Sequence, residues 1–315
     1  SRLIVGNISD RYRGSMLGLA AGDALGTTLE FKPPGTFEPL TDMVGGGPFR
    51  LPVGAWTDDT SMALCLAESL VQTGGFDPAD QLRRYVKWWH EGYLSSTGEF
   101  FDIGNTTANS LLRFETTGDN YPGDQDPHGA GNGALMRLAP IPLAYVQHST
   151  DAHIAAARSS RATHGAEQSA DACRYLTGLI IGALNGATKD ELTGGGPFTP
   201  DEEFAGITHP EIVAVAEGSF REKSPPEING NGYVVPTLEA ALWAFHNFDD
   251  FESGALAVVN LGDDADTTGA VYGQIAGAFY GVEGIPDKWL EKIVMREYIE
   301  ELADGLLDLS RRLAA

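Results

Sequence analysis

Glycine inside helix-patterned segments is the feature that most narrows the folds open to this chain. Its 315 residues include 39 glycines, and Gly18, Gly22, Gly178, Gly182, Gly273 and Gly277 all fall within stretches of three- and four-residue apolar periodicity. Each costs about 1 kcal/mol relative to alanine in a helix interior. Close approach of helix backbones around a central bundle would account for keeping them.

The remaining pattern is helical as well. From Asp10, a favourable N-cap, the positions Tyr12, Met16, Leu19 and Ala20 share one face that runs on towards Leu25. A second helix follows Asp58 and Asp59, with Met62, Cys65, Leu66, Ser69 and Leu70 recurring on one side. Further helices are predicted over 78–91, 105–115, 133–146, 151–161, 165–186, 237–247, 252–260, 265–281 and 297–313. Strand-like alternation is nearly absent; Tyr233-Val234-Val235 is the one candidate. The polar, Pro/Gly-rich stretches 116–131 and 221–236 are the longest predicted loops, and neither resembles a domain linker. The string Gly-Gly-Gly-Pro-Phe occurs at 45–49 and again at 194–198 with unlike flanks, which makes it a coincidence between two loops rather than a repeat. The expectation is one compact all-α domain over 1–315.

Composition excludes several functions. The 42% hydrophobic and 21% charged residues are ordinary for a soluble globular protein. A formal net charge of −23 argues against a nucleic-acid or anionic-membrane surface, since both partners are negative. Lysines and arginines are scattered, so an anionic substrate must be held by backbone amides, metals or a few local cations. Cys65 and Cys173 sit in apolar helical contexts without CxxC spacing and are expected to be small core residues in a reducing compartment. No apolar run approaches the roughly 20 residues of a membrane span, and the first residues lack a charged-then-apolar leader. Ser1 in place of Met is expected of a processed N-terminus. A cytoplasmic protein is expected.

Two acidic clusters carry the chemical signal: Thr57-Asp58-Asp59-Thr60 and Asp263-Asp264-Ala265-Asp266-Thr267. Each mixes carboxylates with threonine hydroxyls where a loop enters an apolar helix. One explanation is helix capping, for which Thr or Asp at the N-cap and acids in the first turn are well suited. The other is a site for hard divalent cations such as Mg²⁺ or Mn²⁺, which prefer oxygen ligands. Adjacent helical positions diverge by about 100°, so Asp58 and Asp59 could serve different metals. If the fold joins the clusters, four or five carboxylates converge and would repel without cations; a two-metal site is the natural arrangement.

Three further features are less specific. Gly129-Ala130-Gly131-Asn132-Gly133-Ala134 precedes an apolar run and is either a tight loop or an anion-cradling turn. Glu30 follows the first helix and, by itself, is an isolated acid. His164 either contacts a ligand or marks a helix start. The seven histidines show no zinc spacing, and neither cysteine pairs with a His/Asp set, so Ser- or Cys-based nucleophilic catalysis has no support.

These residues together resemble the ADP-ribosylglycohydrolase family. The likeness is collinear over nearly the whole chain. It covers 22–30 (GDALGTTLE), 45–64 (GGGPF through WTDDTSMAL), 101–107 (FDIGNTT), 131–141 (GNGALMRLAPI), 163–164, 231–245 (NGYVVPTLEAALWAF) and 264–281 (DADTTGAVYGQIAGAFYG). The resemblance implies an all-α, orthogonally packed bundle with a central dinuclear Mg²⁺ or Mn²⁺ site. It carries metal ligands over to Thr57, Asp58, Asp59, Asp264, Asp266 and Thr267. Glu30 matches an acid on a mobile loop beside the site. Gly131, Asn132 and Gly133, with His164, match positions around bound ADP-ribose, and Asp102 and Asn105 match a pocket-lining motif. Two positions depart from the family pattern: Gly129 stands where Ser is common, and Asp263 where Gly is usual.

The function so implied is hydrolysis of the α-glycosidic bond between ADP-ribose and a side chain. Asp58, Asp59, Asp264 and Asp266 would hold the metals, Glu30 would position water or ribose, and the pyrophosphate would rest on amides near Gly131–Ala134. Arginine-linked ADP-ribose is the leading substrate, since the 56–64 and 231–245 stretches most resemble the bacterial arginine-directed branch. Serine-linked or O-acetyl-ADP-ribose, a non-catalytic ADP-ribose-binding protein and a metal-dependent phosphohydrolase are the alternatives. The partner is therefore an ADP-ribosylated protein or small molecule.

Overall fold

The computed structural model describes residues 2–195 and 206–315, and among these it is all-α. The longer helices are α1 Arg2–Gly26, α2 Asp58–Thr73, α3 Pro78–Glu91, α4 Asn105–Thr117, α5 Ser149–Arg161, α6 Glu167–Leu184, α7 Val234–Asn247, α8 Phe251–Val259, α9 Ala265–Tyr280 and α10 Arg296–Ala314. Shorter helices occupy Pro140–Ala144, Lys189–Thr193, Pro210–Ala216 and Asp287–Leu290. Most predicted helices agree with these to within three residues at either end. Among the described residues only isolated β-bridges occur.

Four of the interior glycines, Gly18, Gly22, Gly273 and Gly277, mark where α1 and α9 touch. The two helices run antiparallel, and a Cβ on Gly22 would lie 1.9 Å from the Gly269 carbonyl oxygen, while one on Gly269 would lie 2.3 Å from that of Gly22. The same reciprocal exclusion joins Gly18 to Gly273 and Gly14 to Gly277. Backbone therefore packs on backbone, as it can only where side chains are absent. This pair sets up the site: the C-terminal end of α1 is brought against the N-terminal end of α9. Around it a continuous core gathers Tyr12, Met16, Trp56, Met62, Leu66, Leu176, Phe245 and Trp289, all buried.

Three sequence expectations are corrected. Asp10 does not cap α1, which begins at Arg2; no proline in residues 2–9 stops the helix sooner. The predicted helix 133–146 is instead a 3₁₀ turn, Leu135–Arg137, followed by the short helix Pro140–Ala144. Pro140 and Pro142 lack the amides that a longer helix would need there. The strand candidate at Tyr233 fails because Val234 opens α7, leaving Tyr233 with one bridge to Gly131. Part of the second Gly-Gly-Gly-Pro-Phe string, from 196 onward, lies outside the described residues.

Cys65 and Cys173 are free and buried, as expected of small core residues. No helix among the described residues is long and apolar enough to cross a membrane.

Candidate functional site

Asp23, on α1, organises the site from below. It is fully buried. Its Oδ2 accepts the Thr57 and Thr60 amides at 3.0 and 3.1 Å and the Thr60 hydroxyl at 2.7 Å, and its Oδ1 accepts the Thr57 hydroxyl at 2.7 Å. Asp23 thus supplies the cap of α2 from another helix. Thr57, the residue at the capping position, makes no side-chain cap bond, and neither does Asp264 at the start of α9. Neither cluster supplies the side-chain cap of its own helix. Their side chains are free to face one another instead.

They do meet. The Thr57 hydroxyl lies 3.1 Å from Asp59 Oδ1 and 3.0 Å from Asp266 Oδ2, besides its contact with Asp23. A hydroxyl carries one proton, so it can donate to only one of these three carboxylates. The Thr57 oxygen therefore faces two carboxylate oxygens to which it does not donate. Carboxylate oxygens of Asp23, Asp59 and Asp266 lie within 4.8 Å of one another, and so do those of Glu30, Asp264 and Asp266. Asp266 Oδ1 and Glu30 Oε2 are buried without any partner.

This donor set fits hard divalent cations: all oxygen, mostly anionic, largely buried, and short of hydrogen-bond donors. Without them, burial first and then neighbouring carboxylates push Asp23, Asp58 and Asp266 well above the usual range. Burial likewise raises Asp59 and pushes Glu30 up to about 9. The amino-terminal ends of α2 and α9 both carry these acids, where the helix dipole favours negative charge.

Above the acids opens a cleft of about 660 Å³. Glu30, Asp58, Asp102, Asn105, Gly131, Asn132, Gly133, His164, Asp264, Asp266 and Thr267 line it, so most residues singled out from the sequence share one cleft. Thr57 and Asp59 lie directly beneath, through the contacts above and through the Thr267 hydroxyl, which donates to Asp59 Oδ2 at 2.7 Å. Gly129 and Ala134 do not line the cleft; Ala134 is fully buried behind the loop. Asp263 does line it.

The glycine loop owes its shape to His164. A Cβ on Gly133 would lie 2.4 Å from His164 Cε1, so only glycine lets the ring sit there. The imidazole is buried; its Nδ1 pairs with the Thr163 hydroxyl at 2.8 Å. Burial, and secondarily Arg137, push its pKa down to about 3, which keeps it neutral. Arg137 is fully buried and ties the loop down, donating to the Gly133 and Ser159 carbonyls at 3.0 and 2.8 Å. Asn132 reaches back to the acids, its amide donating to Asp264 Oδ2 at 2.7 Å and to the Thr237 hydroxyl at 3.0 Å.

The Glu30 loop is clasped to the Asp263 turn. The Phe31 amide donates to the Asp263 carbonyl at 2.7 Å, and the Asp263 amide to the Lys32 carbonyl at 2.8 Å. Phe31 and Asp263 both hold positive φ, 68° and 52°, at a cost of about 1–2 kcal/mol each for non-glycine residues. The left-handed turn explains why glycine suits position 263 and aspartate is tolerated there.

Sequence reasoning missed Asp23, Phe31, Thr107, Thr237, Asn231 and Gly232. Asp23 carried a usable signal: an acid between Gly22 and Ala24 on an otherwise apolar helix. The others are ordinary loop or helix residues until the fold places them.

Comparison with known proteins gives a consistent picture. The profile of the ADP-ribosylglycohydrolase family matches residues 5–314. The ADP-ribosylarginine hydrolase Tri1 of Pseudomonas putida is 44% identical over 300 residues, covering 95% of this chain and 78% of the relative. The ADP-ribosyl-[dinitrogen reductase] glycohydrolase of Rhodospirillum rubrum is 35% identical over 314 residues, covering 96% of this chain and 98% of the relative. A solved structure described as an ADP-ribosylglycohydrolase-related protein complex superposes with a TM-score of 0.85 at 49% identity, covering 97% of this chain and 99% of the other. With its all-α fold and its acids gathered beneath one cleft, the chain belongs to the ADP-ribosylglycohydrolase family of hydrolases.

Proposed function

We propose that this cleft hydrolyses the α-glycosidic bond between ADP-ribose and an arginine side chain, releasing free ADP-ribose, in a metal-dependent reaction. The observation that carries the reading is the meeting of the Thr57–Asp59 and Asp264–Thr267 segments around a shared set of proton-poor oxygens. The arginine preference is supported by the relatives that bear an arginine-directed name.

Thr57, Asp58, Asp59, Asp264, Asp266 and Thr267 would hold two divalent cations, Mg²⁺ or Mn²⁺. Such ions supply polarisation and charge stabilisation for a reaction at a sugar carbon. The protein's own groups supply the rest. Asn132 holds Asp264 in one orientation through its 2.7 Å bond. Asp23 holds Thr57 and the start of α2. Glu30, 5% exposed and part of the cleft wall, would take a proton from water or orient the scissile ribose. Gly131, Asn132 and Gly133, backed by neutral His164, form a close-fitting floor for the nucleotide. Asp102 and Asn105 line the same cleft. Fixed orientation of this kind carries much of a glycosidase's rate, with preorganised charge supplying the remainder.

Hydrolysis of O-linked ADP-ribose, on serine or as O-acetyl-ADP-ribose, is the second reading, since the same oxygens would serve it. A role as a non-catalytic ADP-ribose binder is disfavoured by the number of buried acids retained. The free thiols of Cys65 and Cys173 suit a reducing, cytoplasmic setting.

The test is to incubate the Mg²⁺- or Mn²⁺-loaded protein with arginine-, serine- and glutamate-linked ADP-ribosyl peptides and separate the products. Release of ADP-ribose from the arginine peptide is expected. AMP as product would identify a phosphohydrolase instead, and binding without turnover a non-catalytic protein.

A further inference from the structure

We propose that the cleft edge at Phe31, Asp102 and Asp263, with the Phe31 ring backed by Phe49 and Phe101, is the subsite that takes the guanidinium group and aliphatic stem of the substrate arginine. The proposal deepens the arginine reading above and rests on it.

Phe31 is 65% exposed and yet lines the cleft. Its ring meets Phe49 edge-on at 6.2 Å, and Phe49 meets Phe101 at 5.1 Å. The three rings form a continuous aromatic edge ending beside Asp102. The clasp between the Phe31–Lys32 backbone and Asp263 holds the Phe31 backbone against the Asp263 turn, and Asp263 lines the same cleft. Neither Asp102 nor Asp263 belongs to the two close oxygen clusters below, so their charges remain available to a ligand.

The chemistry selects a cation with a flat face. Among the described residues no lysine or arginine lines the cleft, whereas six carboxylates do. A guanidinium stacks on aromatic rings and pairs with carboxylates, and its methylene stem covers apolar surface. A serine hydroxyl uses none of these features. Glu30 adjoins Phe31 in the chain and lines the same cleft, so a bond held at this rim lies next to the acid that would act on it.

Two measurements test the proposal. With an arginine-linked ADP-ribosyl peptide, Phe31→Ala is expected to raise KM about tenfold while kcat and the Kd for ADP-ribose move by less than about twofold, and Phe31→Trp to restore KM. Independently of turnover, agmatine should bind the Mg²⁺- and ADP-ribose-loaded wild type in calorimetry, more tightly than uncharged butylurea, and about tenfold more weakly in Phe31→Ala. Unchanged KM and agmatine binding in Phe31→Ala would overturn the proposal. So would a fall in kcat at constant KM, which would make Phe31 only a support for Glu30. Should wild type cleave serine-linked peptides alone yet bind agmatine through Phe31, the arginine reading fails and the guanidinium site stands. Absence of agmatine binding to wild type sinks the site itself.

Discussion

Thr267 donates its hydroxyl proton to Asp59 over 2.7 Å, joining residues 208 positions apart. Through this bond and the Thr57–Asp266 contact at 3.0 Å, the starts of α2 and α9 become one oxygen-lined floor. Neither segment is a site alone. Each supplies about half the ligand oxygens that a pair of cations would need.

Removing these oxygens is expected to abolish turnover. Asp59→Ala or Asp266→Ala should lower kcat/KM by at least about 10³-fold, roughly 4 kcal/mol of transition-state stabilisation. Calorimetry should show weakened Mn²⁺ binding in both. Wild-type rates in the two variants would refute the assigned roles.

Chelation by EDTA should inactivate the protein reversibly. Oxygen-only donors lead to recovery with Mg²⁺ or Mn²⁺. Recovery with Zn²⁺ alone, followed by ADP-ribose release, would contradict the donor argument.

The chelated protein should lose stability as pH rises. Burial raises the folded-state pKa of Glu30 to about 9 and raises those of Asp23, Asp58, Asp59 and Asp266. The folded form then holds more protons than the unfolded one from about pH 4 up to about 9, so stability falls across that window. Melting temperatures of EDTA-treated protein should drop from pH 5.5 to pH 8. Added Mg²⁺ should recover more at pH 8 than at pH 5.5. Asp266→Asn, which removes one crowded charge, should raise the melting temperature of the chelated protein at pH 8; a lower value would refute the repulsion.

Glu30→Gln should impair rate more than affinity. A fall in kcat of about 10²-fold or more is expected for a group that handles a proton, with ADP-ribose affinity changed by less than about threefold. The reverse pattern, read by single-turnover kinetics and calorimetry, would make Glu30 a binding residue.

Gly22→Ala should cost about 3 kcal/mol or prevent folding, because the new Cβ meets the Gly269 carbonyl and neither helix can retreat alone. Gly75→Ala is the control: its Cβ would meet only the Tyr145 hydroxyl, at 3.7 Å, and should shift stability by about 0.5 kcal/mol or less. Urea denaturation of the two variants separates the outcomes.

Local chemistry was legible without coordinates. Periodicity is a property of neighbouring residues, so helices such as 78–91 and the one after Asp58 could be read directly. The oxygen-rich character of the two acidic clusters is likewise written in their side chains. The interior glycines signalled close backbone approach, because nothing local repays their cost. The fold decided which backbones approach: the antiparallel α1–α9 pair, which carries Asp23 and Glu30 to the start of α9. It also decided that Asp23, rather than Thr57, caps α2. Whether an acid caps its own helix or faces a partner two hundred residues away depends on what lies across the gap, and that is a fact of packing. The aromatic rim at Phe31, Phe49 and Phe101 exists for the same reason, since three separated loops share one edge only after the helices have met.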